Sequence, residues 1–467
     1  MTQSTKAAAP ATRMPNAGAA LPYDVCVVGL GYVGLTLAVA LADRGIKVLG
    51  VERRRDVVQS LRRGRAHFYE TGLDAILARL MKEGSLAATQ RLGKTPCAST
   101  YILTVGTPLD TRGKVRMDFI EHALSEIAAN MDEDALVVLR STARIGTART
   151  IAQPLLAASG KRFQLAVCPE RTLEGDAMHE LQVLPQIIGA DDEATRARAA
   201  TIFRALTNSI VQVSSLETAE IIKLADNSYR DLSFAFGNEM ARMCEAFGVR
   251  ADEVIANGQM GYARTRIAMP GLVGGPCLSK DSHILAQSCE TAGLMPDLVR
   301  AARRVNERQP KETVRFIVRE HRARFAHAAP VIALCGLAFK GRPPVDDMRG
   351  AMSLEVLREI RRQAPRAKLR FYDAVCRAAD LRPLVGKGQM ATSFARAIAG
   401  AEIVVIANNH AEFERLTPQE ISEGLAARGF VYDYWNLMDD AKRQRLRGRY
   451  FALGATAGAH AAPEFQP

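Results

Sequence analysis

The segment that most constrains the fold of this chain lies near its N-terminus. A short apolar run, residues 24–29, leads into Gly29-Leu30-Gly31-Tyr32-Val33-Gly34, and a helix-like stretch, residues 35–44, follows. In a strand–turn–helix unit the first glycine permits the tight turn, the second lets the backbone approach a pyrophosphate, and the third lets the helix pack closely on the strand. A pyrophosphate would bind at the helix N-terminus, where unpaired N–H groups and the helix dipole favour anions. The pattern predicts a dinucleotide-binding unit.

An acidic residue follows at the spacing that such sites use. Glu52 ends the next apolar run, 21 residues after Gly31, where a carboxylate hydrogen-bonds the adenosine ribose hydroxyls. Because this carboxylate would repel a 2′-phosphate, we predict NAD as the cofactor in preference to NADP. The cationic run at residues 53–55 acts against this preference, since an arginine could accept the phosphate. A glycine-rich turn that binds nothing is the other interpretation.

The alternation of strand-like and helix-like segments occurs in two separate regions. It runs from residue 23 to about 205 and resumes at residue 330, as is typical of βα units on a parallel sheet. Between them the chain has mainly helical periodicity, interrupted by the Gly- and Pro-rich residues 269–276. We therefore predict an α/β protein with two doubly wound Rossmann-like domains, joined by a central helical domain, and an active site in the cleft between the two doubly wound domains. The expected bounds are 1–22 (disordered tail), 23–213 (NAD-binding domain), 214–328 (helical domain), 329–454 (C-terminal domain) and 455–467 (second tail). The strand-like runs are 24–29, 47–52, 99–105, 135–139, 164–168, 331–335, 369–372 and 403–407.

Composition excludes some classes of protein. No apolar run approaches the roughly 20 residues of a membrane span, and the N-terminal stretch lacks the apolar core of a signal peptide. The eight cysteines are scattered and the eight histidines lack metal-ligand spacing, so we expect no disulfide framework, no metal site and a cytoplasmic location. The net charge of +12 is compatible with binding nucleic acid, an anionic membrane or phosphate-bearing small molecules. No recognition motif accompanies the basic runs, so a solvated basic surface is favoured, without a nucleic-acid or membrane partner.

The segment at residues 269–281 contains the residue type best suited to covalent chemistry. Cys277 ends a Gly-rich loop and can be exposed at the N-terminus of the next helix, where a thiol becomes more acidic and more nucleophilic. Asp281 follows one turn later, within reach of the thiol or of a water molecule. The same pattern fits a cysteine that is only a small buried apolar residue, because most unpaired cysteines are structural.

The chain resembles the UDP-glucose/GDP-mannose dehydrogenase family, the nucleotide-sugar 6-dehydrogenases. The resemblance covers residues 23 to about 440, and its motifs occur in family order. These motifs are residues 29–34, 68–73, 105–108, Ser141-Thr142, 169–171, Lys223 with Asn227, 274–277 with Lys280-Asp281, and 336–340 with Asp347 and Arg349. The resemblance implies an N-terminal NAD-binding domain, a helical dimerisation domain and a C-terminal nucleotide-sugar domain, in a homodimer or higher homo-oligomer.

The resemblance implies a role for each matching residue. Cys277 is the nucleophile that forms first a thiohemiacetal and then a thioester, and Lys223 with Asn227 stabilises developing oxyanions. Glu170 and Thr142 position or activate the hydrolytic water, and Asp281 orders water and tunes the thiol. Implied cofactor contacts are Gly29, Gly31, Tyr32, Val33, Gly34, Glu52, Thr107, Thr142, Lys280 and Arg349. Implied substrate contacts are Glu170, Arg171, Lys223, Asn227, Arg264, Gly274 and Lys340.

Plainer structural roles remain open for several of these residues. Lys223 and Asn227 could share the exposed face of an amphipathic helix, and Glu170 and Thr142 could cap helices.

The implied reaction is the NAD-dependent four-electron oxidation of the 6-hydroxymethyl group of a nucleotide sugar to a uronic acid, serving polysaccharide synthesis. Arg171 after Glu170 favours a UDP-N-acetylhexosamine. The Lys280-Asp281 pair is of the UDP-glucose type, however, and Pro276 is typical of neither, which leaves UDP-glucose and GDP-mannose as alternatives. A hydroxyacid-type dehydrogenase with one hydride transfer would explain the glycine motif but not Cys277. A non-catalytic nucleotide-sugar-binding or nucleic-acid-binding protein is suggested only by the basic charge.

Overall fold

The computed structural model describes residues 21–93, 95–446 and 448–455. The predicted disordered tails, 1–22 and 455–467, fall almost entirely outside these residues. The chain forms two compact units, one up to Leu224 and one from Ala225, and the boundary falls within the long helix Leu216–Ala246. None of the helices in the described ranges combines the length and apolar character that crossing a bilayer requires.

The N-terminal unit is built on an eight-stranded sheet. Its strands are β1 (Tyr23–Val28), β2 (Val48–Val51), β3 (Leu86–Thr89), β4 (Ala98–Leu103), β5 (Ala135–Leu139), β6 (Phe163–Val167), β7 (Gln186–Gly189) and β8 (Ile210–Val213). The order is β3-β2-β1-β4-β5-β6-β7-β8. The first six strands are parallel, whereas β7 pairs antiparallel with β6. The predicted parallel pairing therefore holds for the first six strands. The connection at residues 168–185 reverses the chain direction, so that β7 and β8, parallel to each other, run antiparallel to the rest.

Helices cover both faces of this sheet. They are α1 (Tyr32–Asp43), α2 (Arg55–Arg62), α3 (Leu73–Glu83), α4 (Asp118–Asn130), α5 (Gln153–Ala157), α6 (Ala177–Val183), α7 (Glu193–Phe203) and the start of α8 (Leu216–Ala246), with a π-helical turn at Ala148–Ala152. Alternate residues of β1 pack into opposite layers, Val25 and Val27 into one core and Cys26 and Val28 into the other. This is why β1 is apolar throughout, since a strand covered on both faces has no solvent side.

The C-terminal unit begins with helices and continues with a second sheet. Its helices are the rest of α8, then α9 (Ala251–Gln259), α10 (Gly275–Leu278), α11 (Asp281–Thr291), α12 (Asp297–Arg324), α13 (Met352–Gln363), α14 (Ala378–Val385), α15 (Phe394–Ile398), α16 (Ala411–Glu414), α17 (Pro418–Gly424) and α18 (Asp440–Arg445). Its strands are β9 (Val331–Cys335), β10 (Lys368–Tyr372), β11 (Gln389–Met390), β12 (Ala401–Ile406), β13 (Leu425–Asp433) and β14 (Tyr450–Ala452). All pair in parallel, in the order β11-β10-β9-β12-β13-β14. The prediction of two doubly wound sheets with helices between them in the sequence is confirmed.

The strand order reverses direction once near the first strand of each sheet. In the N-terminal unit this occurs between β1 and β4, and in the C-terminal unit between β9 and β12. Doubly wound sheets bind ligands at the carboxyl ends of the strands that flank such a point. The loops that lie there are residues 29–31 and 104–107 in one unit, and 336–340 and 407–410 in the other.

Candidate active site

The glycine loop has the backbone that a close-packed strand–turn–helix unit requires. Gly29 has φ +94°, a left-handed conformation that side chains disfavour. A Cβ at Gly34 would lie 1.8 Å from the carbonyl oxygen of Gly29, so no larger residue fits between α1 and the loop. At Gly31, the N-cap of α1, an added Cβ would meet no atom within 4 Å. The outer two glycines are therefore needed by the fold, whereas the middle one lies beside open space at the N-terminus of α1.

Glu52 lies directly beside this loop. Val28 and Val51 are paired across β1 and β2, which brings the residue after β2 next to the loop after β1. The Glu52 carboxylate accepts hydrogen bonds from the N–H groups of Leu30 (3.1 Å) and Arg54 (3.0 Å). The Arg54 guanidinium, in contrast, is paired with Asp56 on the exposed surface.

Two threonines after β4 hydrogen-bond to neighbouring segments: Thr107 to the loop after β5, and Thr104 to the end of β1 and the glycine loop. The buried Thr107 hydroxyl donates a hydrogen bond to the carbonyl oxygen of Thr142, at 2.5 Å. The Thr104 hydroxyl lies 2.6 Å from the carbonyl oxygen of Gly29 and 3.0 Å from that of Val28. Thr104 fixes the glycine loop against β4, and its role could not be deduced from the sequence.

Tyr32, predicted to contact the cofactor, is buried and hydrogen-bonded inside the unit. Its hydroxyl donates to the buried Glu70 carboxylate, which also accepts the N–H groups of Gly175 and Ala177 at 2.8 Å each. Burial, followed by Glu70, raises the pKa of the Tyr32 hydroxyl above its usual range. The Tyr32 side chain therefore links the start of α1 to the loop before α6.

Glu170 is held as a carboxylate by a buried arginine. The Arg140 guanidinium contacts Glu170 Oε2 through both Nε (3.0 Å) and Nη2, and the other oxygen accepts the N–H groups of Arg171 and Thr172 at 2.7 Å each. Burial acts to raise the pKa of Glu170, but Arg140, the Thr172 N–H and Lys223 outweigh it, so the pKa lies below its ordinary value. A carboxylate with a low pKa and occupied oxygens is a weak proton acceptor, so its arrangement fits positioning and charge stabilisation.

Lys223 and Asn227 lie one turn apart on α8, and both are buried. The alternative that they occupy an exposed amphipathic face is therefore wrong. The Asn227 amide donates to Asp281 Oδ2 at 2.6 Å, and Lys280 Nζ lies 2.7 Å from Asp281 Oδ1. Three of the predicted residues thus form one connected group at the start of α11, in which Asp281 is fully buried.

Cys277 lies in the single helical turn α10, four residues before Asp281. It is partly exposed, and none of the eight cysteines forms a disulfide. The preceding glycines pack too closely for side chains: a Cβ at Gly274 would lie 2.4 Å from the carbonyl oxygen of Gly350, and one at Gly275 would lie 2.4 Å from the Phe339 ring. The Gly275 N–H also donates to the Gly350 carbonyl oxygen at 2.8 Å. These contacts fix the loop that carries the thiol.

A buried arginine holds the same loop from its other side. Arg303 on α12 donates to the carbonyl oxygens of Leu278 (2.6 Å) and Val273 (3.1 Å), which flank Cys277 in the chain. Its charge is paired with Asp231 on α8 at 3.0 Å, and both side chains are almost completely buried. Asp231 also accepts hydrogen bonds from Asn306 (2.7 Å) and Ser282 (2.9 Å). This group joins α8, α11 and α12 beneath the cysteine loop.

Three models of one protein family match consecutive parts of the chain. They are the NAD binding domain, the central domain and the UDP binding domain of the UDP-glucose/GDP-mannose dehydrogenase family, at residues 23–207, 217–308 and 333–440. The chain belongs to the UDP-glucose/GDP-mannose dehydrogenase family.

Relatives in this family agree over most of their length. A UDP-N-acetyl-D-mannosamine dehydrogenase of Pyrococcus horikoshii is 31% identical over 408 residues, covering 86% of this chain and 93% of the relative. An NDP-N-acetyl-D-galactosaminuronic acid dehydrogenase of Ralstonia nicotianae is 30% identical over 404 residues, covering 84% and 92%. The solved structure of the Pyrococcus horikoshii UDP-D-ManNAc dehydrogenase superposes with a TM-score of 0.82 at 30% identity, covering 93% of this chain and all of that one. A UDP-glucose dehydrogenase structure from Pyrobaculum islandicum has a TM-score of 0.79 at 25% identity, with 95% and 100% coverage.

Family membership confirms the resemblance and the cofactor predicted from the sequence. The protein is an NAD-dependent nucleotide-sugar dehydrogenase, which removes the alternative of a non-catalytic binding protein. Among the predicted residues, the structure brings Asn227, Lys280 and Asp281 into one hydrogen-bonded group, and it places Glu170 within the electrostatic reach of Lys223.

The remaining predicted residues of this family member lie in less enclosed surroundings. Arg264 is in the exposed segment after α9, stacked on Tyr262 at 4.7 Å. Arg349 is mostly exposed and paired with Asp347, its Nε lying 2.8 Å from Oδ2. Lys340, in the loop at the carboxyl end of β9, lies over the Phe339 ring at 5.4 Å. Their roles toward cofactor and substrate remain predictions, as does that of Arg171.

Proposed function

We propose that this dehydrogenase oxidises the 6-hydroxymethyl group of a UDP-N-acetylhexosamine, of the N-acetylmannosamine type, to a carboxylate. The names of the relatives described above support an N-acetylated sugar, and so does Arg171 after Glu170. The observation that carries the covalent mechanism is the placement of Cys277. It is a partly exposed thiol on a loop fixed by Arg303 and Gly350, just before a buried group of polar side chains.

The residues around the glycine loop fit NAD. The backbone at Gly31 is open on the side where a pyrophosphate approaches, and Glu52 lies where the adenosine ribose would bind. When bound, NAD accepts the hydride that leaves the sugar carbon. Thr107 and Thr142 would border the nicotinamide end, because their loops follow β4 and β5, on the far side of β1 from Glu52.

The proposed chemistry passes through four stages on one carbon. The alcohol first loses a hydride and a proton and becomes an aldehyde. The Cys277 thiolate then adds to the carbonyl carbon, and the resulting oxyanion gives a thiohemiacetal on protonation. Loss of a second hydride and a proton from this adduct gives a thioester. Water finally attacks the thioester, which releases the carboxylate and restores the thiol, so that each sugar consumes two NAD and one water.

The chain supplies groups suited to each stage. Lys223 is a buried cation that would stabilise the oxyanions formed when Cys277 or water attacks, and the amide of Asn227, one turn on, would add a hydrogen bond. Asp281 is held by both Lys280 and Asn227 and would order the attacking water near the thiol. Glu170, kept ionised by Arg140, would orient water through its charge, and Thr142 would assist.

Stoichiometry and covalent capture test the mechanism together. Wild type should form two NADH and one carboxylate per sugar and release no free aldehyde. Cys277→Ser should lose steady-state acid formation, because a hydroxyl is a far weaker nucleophile than a thiolate near neutral pH. Intact-protein mass spectrometry after mixing with substrate and NAD should detect at most a slowly hydrolysing ester in Cys277→Ser and no adduct in Cys277→Ala. Acid formation by Cys277→Ala near the wild-type rate would exclude the covalent route, as would one NADH per sugar.

We also propose that the protein assembles as a homodimer through α8. Large apolar side chains repeat along this helix at seven-residue intervals, with Tyr229, Phe236 and Met243 exposed by 69%, 48% and 45%. A row of exposed aromatic and aliphatic groups on a helix marks an interaction surface. A second copy of the same helix would present the same row, which makes the surface self-complementary in a twofold dimer.

A further inference from the structure

Three metal-binding side chains converge at the amino-terminal edge of the second sheet. His321 lies in the last turn of α12, His327 in the connection to β9, and Glu402 is the second residue of β12. One ligand atom from each lies within 4.8 Å of the other two. The carboxyl edge, where residues 336–340 and 407–410 lie, is at the opposite end of these strands. The cluster therefore takes no part in the chemistry proposed above.

Both imidazoles present the same ring nitrogen to one carboxylate. His321 Nε2 lies 3.0 Å from Glu402 Oε2, and His327 Nε2 lies 2.9 Å from Oε1. The two rings are 5.4 Å apart between centroids and inclined by 69°. Each Nε2 that faces the carboxylate donates a hydrogen bond to it, so metal binding would require each ring to carry its hydrogen on Nδ1. Ligands of a tetrahedral ion with bonds of about 2.0–2.1 Å are separated by about 3.4 Å. The two nitrogen–oxygen distances would therefore need to open by about 0.5 Å. The two imidazole nitrogens, which lie within 4.8 Å of each other, would need to reach the same separation.

Packing and hydrogen bonds already hold the buried members of the group in place. His321 is buried between α12 and β12, and Phe325 stacks on its ring with centroids 4.8 Å apart. Glu402 Oε2 accepts the N–H of Val331 at 3.1 Å, which fixes the carboxylate. His327 is half exposed, so solvent and an ion have access from its side.

We propose that His321, His327 and Glu402 bind a divalent transition-metal ion such as Zn²⁺, with water completing the coordination. Two imidazole nitrogens and one carboxylate oxygen are a ligand set that zinc uses in proteins. Imidazole ligands disfavour Mg²⁺ and Ca²⁺, which prefer oxygen. The bound ion would tie the end of α12 and the 325–330 connection to the sheet, and so stabilise the C-terminal unit.

His327→Gln separates metal binding from a purely hydrogen-bonded cluster. The glutamine amide can still donate a hydrogen bond to Glu402, so the fold is retained, but it replaces a strong metal ligand with a poor one. His122→Gln is the matched control, because His122 also pairs with a glutamate, at 3.2 Å, on the exposed face of α4. Both variants would be compared with wild type, after chelator treatment, by calorimetric titration with Zn²⁺ and by absorption spectra with Co²⁺.

Wild type and His122→Gln should bind one ion at this site with equal affinity. His327→Gln should bind it at least about tenfold more weakly, because loss of a residue that only orients a metal ligand already costs that much. The Co²⁺ absorption bands that His327→Gln lacks should be those of nitrogen and oxygen ligands, without thiolate charge-transfer bands. Their absence distinguishes this site from metal bound by the cysteines. The melting temperature should rise with added Zn²⁺ in wild type and not in His327→Gln. Equal titrations of wild type and His327→Gln would overturn the proposal and leave two histidines hydrogen-bonded to a glutamate.

Discussion

Replacement of Arg303 by methionine tests whether a buried ion pair positions the cysteine loop. Methionine keeps much of the length of the side chain but removes its charge and its donors. The variant would lose the ion pair with Asp231 and the hydrogen bonds to the carbonyl oxygens of Leu278 and Val273. Removing one partner of a buried pair typically costs about 3–5 kcal/mol, and each buried carbonyl left without a donor about 1–3 kcal/mol.

These costs are not additive, because the Asp231 carboxylate keeps two other hydrogen bonds, from Ser282 and Asn306. It can also take up a proton. We therefore expect Arg303→Met to lower the free energy of unfolding of the C-terminal unit by about 3–5 kcal/mol. Arg300→Met on the same helix removes a partly exposed pair with Glu290 and should cost less than about 1 kcal/mol.

The loss of stability should depend on pH in a defined direction. Burial raises the pKa of Asp231 above its usual value, and the charge of Arg303 acts to lower it. Without Arg303 the folded-state pKa rises further above the unfolded-state pKa, so the folded state holds a proton that the unfolded state releases. Stability then falls as pH rises between these two values. The deficit of Arg303→Met relative to wild type should be smallest near about pH 4 and should grow toward neutral pH.

Urea unfolding at several pH values measures the deficit, and the rate of Cys277 alkylation in the folded protein reports the position of the loop. We expect faster or less selective alkylation and a kcat lower by about a hundredfold, the effect of misplacing a reacting group by about 1 Å. Arg303→Met combined with Asp231→Asn should recover part of the stability, because it removes the unpaired carboxylate. A loss in the free energy of unfolding below about 1 kcal/mol, or a loss independent of pH, would refute the role assigned to the Arg303–Asp231 pair.

Four further predictions can be checked more simply. NAD should be used more efficiently than NADP, and Glu52→Ala should narrow the difference mainly by weakening NAD; equal kcat/KM values for wild type would contradict this. Among UDP-glucose, UDP-galactose, two UDP-N-acetylhexosamines and GDP-mannose, an N-acetylated sugar should give the highest kcat/KM, and a tenfold preference for UDP-glucose would show that Arg171 does not report the sugar. Phe236→Lys should convert a dimer to a monomer in light scattering, whereas Leu384→Lys, at an equally exposed leucine, should not. Burial raises the pKa of Glu220 to about 7, so wild type should lose more stability than Glu220→Gln between about pH 5 and about pH 8, and parallel urea midpoints would exclude this.

The parts of the fold that could be predicted are those with strong local patterns. β5 and β9 lie at the predicted residues, and the other predicted strands differ from the observed ones by one or two residues. β1 could be recognised because a strand buried on both faces is apolar throughout. In contrast, β8 is partly exposed, β11 has only two residues, and β13 begins in an irregular pairing with β12. Their pairing partners, not their composition, make them strands.

The residues of the candidate site also differ in whether the sequence alone could reveal them. The glycine loop, Glu52 and Cys277 could be found because each depends on a local pattern, whereas Arg140, Thr104 and Arg303 could not. Arg303 is 25 residues from Leu278 and 72 from Asp231, and no spacing rule connects such positions. In the sequence, Arg303 is one of several arginines on an amphipathic helix, a pattern that indicates a solvated cation. The many basic residues thus include two buried guanidinium groups. Arg140 holds Glu170 in the N-terminal unit, and Arg303 holds the cysteine loop in the C-terminal unit.

The proposed covalent intermediate would explain why such costly groups are useful at this position. Burying a charge pair often gains less than well-packed apolar side chains would, so Arg303 and Asp231 are poorly explained as a source of stability alone. A guanidinium, however, donates in fixed directions, and it can fix two backbone carbonyls and a carboxylate at once. Apolar packing is more tolerant of small displacements. In the proposed mechanism, the carbon held on Cys277 as a thiohemiacetal must return to the same position after cofactor exchange, within a fraction of an ångström, so that the second hydride can leave. We infer that the ion pair is retained because it restricts the cysteine loop to a single conformation.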